Sequence, residues 1–208
     1  MKYKNVYIYY KKTMFTQEQI KKAVKSKGYI YFDSPKNYDV NIIGIRCNNN
    51  DKVTNLFDDI LVLIYKKDGE IIYKEYPITT DPGVRSLKEL QNINGCAILV
   101  PGQYRSCYMI GTHKTYKALV QRDNVKVYRD KNKDLKYDLD SKTIQSGLFG
   151  INIHKSGKDS NIVDNWSAGC QVFKKEKDFN EFMSIINKSA EIFGNKFTYT
   201  LLNKNDIK

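Results

Sequence analysis

Apolar and polar positions alternate in short blocks along most of this chain, and that spacing predicts strands more often than helices. Val40–Arg46 and Ile60–Lys66 are apolar enough for strands in a core. Ile71–Tyr76 follows across Lys67-Asp68-Gly69-Glu70, a hairpin signal because Asp-Gly tolerates the positive φ of tight turns. Thr79-Thr80-Asp81-Pro82-Gly83 reads as a turn at every position. Further strands are expected at Cys96–Val100, Arg105–Ile110, Lys117–Val120, Val125–Tyr128, Leu148–His154 and Phe197–Leu202. Two stretches carry helical spacing instead. Thr16 is placed as an N-cap with Gln19 completing a capping box and Phe15 facing Ile20, for a helix reaching about Lys27 before Gly28. A second helix spans about Lys175–Phe193, with Phe179, Phe182, Met183, Ile186 and Ala190 on one stripe and Gly194 as the stop.

The pattern gives a fold class of mostly β with a few helices, α+β. The 208 residues suffice for one domain with a core, or one domain with a small appendage. We expect residues 1–35 to form a helix-containing appendage packed on a main domain spanning 36–208. The 16 Tyr and 9 Phe reinforce the strand-rich reading.

Charge changes the picture more. Thirty-five Lys and Arg against 23 Asp and Glu leave a net +12, which steers a protein toward polyanions such as nucleic acid, acidic lipid or an anionic cell envelope. The lysines are dispersed, and no zinc finger, RNA-binding aromatic motif or basic helix accompanies them, so nucleic acid is not the expected partner. Biased codon usage explains the Lys, Asn and Ile richness equally well. No run approaches the ~20 apolar residues of a membrane span. The opening, Met1 to Tyr10, is basic then aromatic, is cut short by Lys11-Lys12 and has no cleavage-site pattern. No secretory signal is therefore read, and the expected location is the cytoplasm of the producing cell until release, or a phage virion. Cys47, Cys96, Cys107 and Cys170 form no CxxC pair, so zinc is not expected and all four are read as thiols.

Two stretches carry candidate chemistry. Gly150-Ile151-Asn152-Ile153-His154 delivers an imidazole, and Trp166-Ser167-Ala168-Gly169-Cys170 presents a thiol after a small, flexible turn. A thiol attacks a carbonyl as its thiolate, and an adjacent imidazole can take the proton and return it to the leaving amine. Gly169 permits a tight turn whose backbone N–H groups can face an oxyanion, and Ser167 can hydrogen-bond within it.

His154, the polar loop after it, and Ser167-Ala168-Gly169-Cys170 resemble the signature of the YkuD-like L,D-transpeptidases, in which an upstream histidine precedes a Ser/Thr-His-Gly-Cys turn. The match covers roughly residues 150–173. It implies a β-sandwich or barrel with a helix after the catalytic cysteine. The activity implied is acyl transfer on bacterial peptidoglycan stem peptides, with Cys170 as nucleophile, His154 as base, and Ser167 and Gly169 shaping the turn. No cofactor is required by that chemistry. Ala168 stands where the family carries a histidine, and Gln171-Val172-Phe173 departs from the family's residues after the cysteine. With no export signal, the resemblance suits a phage or prophage wall enzyme, for which hydrolysis is as natural as cross-linking. The rival reading is a non-catalytic basic virion or cell-envelope-binding module on the same scaffold.

Weaker candidates remain. Arg85 and Arg105 are placed as holders of a stem-peptide carboxylate, since guanidinium binds it bidentately, and Trp166 joins them on the substrate side. His113 either lines the same cleft or is an exposed turn residue, the latter favoured. Asp130, Asn132, Asp134 and Asp138 have the alternating oxygen spacing of a calcium loop, making structural calcium the one metal to consider. Leu135 and Ser141 stand where an EF-hand needs Gly and Glu, and lysines intervene.

Overall fold

The computed structural model describes residues 13–48 and 50–208; the basic-aromatic opening of residues 1–12, where no secretory pattern is read, lies outside the described residues. In chain order the elements are α1 (Gln17–Ser26), β1 (Asn41–Arg46), β2 (Asp59–Lys67), β3 (Glu70–Thr79), α2 (Val84–Lys88), β4 (Cys96–Leu99), β5 (Gly102–His113), β6 (Tyr116–Gln121), β7 (Val125–Asp130), β8 (Gln145–Gly147), β9 (Ile153–Lys155), β10 (Gln171–Phe173), α3 (Glu176–Phe193) and β11 (Phe197–Asn203). The fold is mostly β with three helices among the described residues. Eight strands close a barrel in the order β1-β11-β5-β6-β9-β10-β3-β2, and β4-β7-β8 form a small separate sheet. Only β1·β11 and β9·β10 run parallel among these barrel pairs.

Both strands of the β1–β2 pair are covered on two sides, which explains their near-continuous apolar runs. Ile42, Leu61, Leu63 and Tyr65 turn into the main core, whereas Ile43, Ile45, Ile60, Val62 and Ile64 pack under α1. The helix supplies Ile20, Ala23 and Val24, all fully buried. Its N-terminus is built as the sequence predicts: Gln19 N–H donates to Thr16 Oγ1, and Thr16 N–H donates to Gln19 Oε1. Gly28, at φ +73°, ends it. The β2–β3 hairpin turns on Asp68 and Gly69, both at positive φ. At the other side of the core α3 lays Phe179, Phe182 and Ile186 against Phe173 and the inner barrel, and stops at Gly194.

One expectation is corrected, and two short elements appear where none is expected. Leu148–His154 is not one strand: β8 ends at Gly147 and β9 starts at Ile153. Between them Gly150 adopts φ +71°, and Gln121 Oε1 takes the backbone N–H groups of Phe149 and Ile151 that a continuous ladder would have used. His154 accordingly lies in the middle of β9, not at a strand end. The stretch after Cys170 forms β10 before the helix begins. Finally, α2 follows the Thr79–Gly83 turn, a helix of one turn too short to leave a periodic signal.

Candidate active site

The β9·β10 pair builds the site. Gln171 opposes Ile153 and Val172 opposes His154, and the Gln171 N–H donates to Asn152 O at 2.9 Å. Matched residues of neighbouring strands point to the same face, so Cys170, one residue before β10, comes level with Asn152 on the face that carries His154. The sulfur confirms the alignment: it donates to Gly150 O at 3.3 Å and accepts the Asn152 N–H at 3.4 Å. Cys170 is half-buried.

The turn before it is held from several directions. Ser167 is fully buried; its hydroxyl donates to Cys170 O at 2.8 Å and accepts the Gly169 N–H at 3.1 Å. Gly83 N–H donates to Ser167 O, and Ala97 N–H to Ala168 O, tying the turn to the strap after β3 and to β4. Gly169 sits at φ +132° with its Cα pressed on β4, where a Cβ would lie 1.9 Å from Ala97 O. The Cys170 N–H donates to no acceptor among the described residues, which leaves it free for a developing oxyanion. Behind the turn the Gln171 amide donates to Gly169 O at 3.2 Å and accepts the Tyr199 hydroxyl at 2.8 Å. Gly44 makes that reach feasible, since a Cβ there would fall 1.8 Å from Tyr199 Oη.

His154 is buried, and its Nδ1 lies 2.9 Å from Lys155 O and 3.5 Å from Tyr116 Oη. A carbonyl only accepts, so Nδ1 bears the proton and Nε2 is the basic nitrogen. His113 stacks on this ring, centroids 4.1 Å apart and planes 15° from parallel. His113 is therefore part of the cleft, not an exposed turn residue: the last residue of β5 reaches inward over its partner strand β6. The Asn152 side chain links the two histidine strands. Its Oδ1 accepts the Gln121 N–H, which orients its Nδ2 to donate to His113 Nδ1 at 3.1 Å.

The electrostatics favour a neutral pair. Burial, then His113 and Lys114, pull the His154 pKa down to about 4. Burial pushes the Cys170 thiol above its ordinary value, opposed by the Asn152 N–H and by Lys114. At neutral pH the site thus holds a thiol and an imidazole free to accept a proton. No hydrogen bond joins the thiol to either imidazole among the described residues.

The other candidates fall elsewhere. Trp166 is partly exposed four residues before Cys170, its ring against Gly157. Arg85 lies on α2 and is tied to Glu89 on the surface at 2.9 Å. Arg105 borders a different cavity with Phe32, Asp39 and Lys196, and none of that cavity's walls belong to the Cys170 turn. Asp130, Asn132, Asp134 and Asp138 fold into a loop satisfied by its own hydrogen bonds. Asn132 Nδ2 donates to Asp134 and Asp138, and the Asp138 N–H donates to Asp130. Among the described residues no three His, Cys, Asp or Glu side chains are grouped to hold a metal. Asn152, Tyr116 and Lys114 are the site residues that the sequence reading missed. Asn152 lies inside the quoted Gly150–His154 stretch, and its even spacing from His154 put it on the same face. Tyr116 and Lys114 carried no such signal.

All four cysteines are free, and no helix among the described residues is long and apolar enough to cross a membrane. Comparison of the chain with models of protein families, with curated proteins and with solved structures finds no match in any of the three.

Proposed function

We propose that this chain is a cysteine acyl-transfer enzyme of the YkuD-like L,D-transpeptidase type, acting on peptidoglycan stem peptides. One observation carries the reading: a half-buried thiol, set in a glycine turn with a free backbone N–H, shares a strand face with a histidine whose basic nitrogen is unprotonated. In the proposed reaction the Cys170 sulfur attacks the carbonyl of an L-residue while its proton passes to His154 Nε2. The oxyanion forms against the Cys170 N–H. His154 then returns the proton to the amine of the departing D-residue as the C–N bond breaks, leaving a thioester for water or an amine to resolve. Since the thiol pKa is raised and that of the imidazole lowered, proton transfer is uphill in the resting site, so it is completed only as the C–S bond forms.

That same mismatch, with no thiol–imidazole hydrogen bond, favours a second reading, a non-catalytic basic module that binds the cell envelope. Mass spectrometry of defined muropeptides incubated with the protein separates the two. The enzyme releases a D-residue, and Cys170→Ala stops the release while circular dichroism stays unchanged. Association with purified wall that persists without any product supports the binding module instead.

A further inference from the structure

The cavity bordering the nucleophile turn holds an arginine with no carboxylate partner among the described residues. About 430 Å³ opens between the small sheet and the β8–β9 connection, with Ala97, Ala168, Phe149, Leu148, Asn92 and Arg129 on its walls. Its size is that of a small-ligand pocket. It borders the site through the two segments that carry it: Phe149 precedes Gly150, whose carbonyl accepts the Cys170 thiol hydrogen bond, and Ala168 precedes Gly169 in the turn. Ala168 contributes only a methyl group, which keeps that end open.

Arg129 enters the cavity from β7. Its Nε donates to Gln145 Oε1 at 2.9 Å and its Nη1 to Gly95 O at 3.2 Å, while the guanidinium lies 4.7 Å from the centre of the Phe149 ring. These contacts fix the plane of the group and leave the Nη2 hydrogens free. No carboxylate lines the cavity, and among the described residues none lies within ion-pair reach of Arg129. A half-buried guanidinium held in one plane without a counter-ion can bind an anion, and its planar fork matches a carboxylate. From this geometry we infer that Arg129 binds the terminal carboxylate of a short peptide whose small side chain rests on Phe149. The subsite rests on the acyl-transfer reading for its role, which is to seat the departing D-residue so that the bond before it lies at Cys170. Arg129, rather than Arg85 or Arg105, is then the arginine that sets specificity.

The test needs no turnover. N-acetyl-D-alanine and its neutral amide are titrated into the full chain carrying Cys170→Ala, with binding followed by calorimetry. The acid is expected to bind about tenfold more tightly than the amide, the usual reach of a charge-assisted contact. Arg129→Gln removes that preference, and Arg129→Lys keeps only part of it because the fork is lost. Should Arg129→Gln fail to fold, the acid–amide comparison in the otherwise native chain and the Arg129→Lys variant still decide. Equal binding of acid and amide, binding of neither, or tighter binding of inorganic phosphate overturns the assignment. Acid-selective binding with no D-residue released from muropeptides keeps the subsite and sinks the enzyme. Release without acid selectivity does the reverse.

Discussion

At the scale of single residues, the thiol and the turn make the sharpest predictions. A raised pKa means that Cys170 is protonated at neutral pH and gains thiolate only as pH climbs. Its iodoacetamide alkylation rate, followed by mass spectrometry, is therefore expected to keep rising from about pH 7 through pH 9. A plateau already reached below neutrality would reveal a thiolate–imidazolium pair and contradict the neutral site. Cys47 and Cys96, pushed up to about 12 by burial, should lag behind Cys170 throughout. On the proposed acyl-transfer reading, turnover is expected to have the opposite limb, falling on acidification as His154, at about 4, takes up a proton and can no longer accept one. Gly169→Ala combines a positive φ with a clash against Ala97 O, so it should cost ~3 kcal/mol or more in urea unfolding. The candidate pair, Cys170 and His154, was legible from residue type and spacing alone. The stacked His113 was not, because its spacing along β5 says nothing about which distant strand it meets.

Among the elements, α1 shows how local rules and packing combine. Its capping box is written in the sequence, and Thr16→Ala should lower stability by about 1 kcal/mol. Its hold on the barrel comes from Ile20, and truncation to Ala should cost about 3 kcal/mol by cavity formation. Chemical denaturation measures both. The native-state alkylation profile of Cys170 should not move in either variant, since the cluster under α1 contains none of the residues around the thiol. Strand β9 shows the limit of such rules. The Leu148–His154 pattern looks continuous, yet Gly150 and the Gln121 side chain divide it. Side-chain capture of backbone N–H groups by a residue 28 or 30 positions away has no local trace.

For the whole molecule, dispersed lysines give a field rather than a patch. If the proposed wall partner is right, the net +12 means that retention on purified peptidoglycan should fall steeply as sodium chloride is raised through the range that screens surface charge. Retention indifferent to salt would mean that recognition lies in the cleft. Composition and periodicity by themselves determined the strand-rich class, the two long helices, the β2–β3 hairpin and the thiol–imidazole candidates, because each is encoded within a few neighbouring residues. Tertiary structure alone decided the barrel closure, the parallel β9·β10 pairing, the His113–His154 stack and the position of Arg129 beside the Cys170 turn. Those depend on which strands meet across long loops, and the free energy that selects them comes from burying whole faces together.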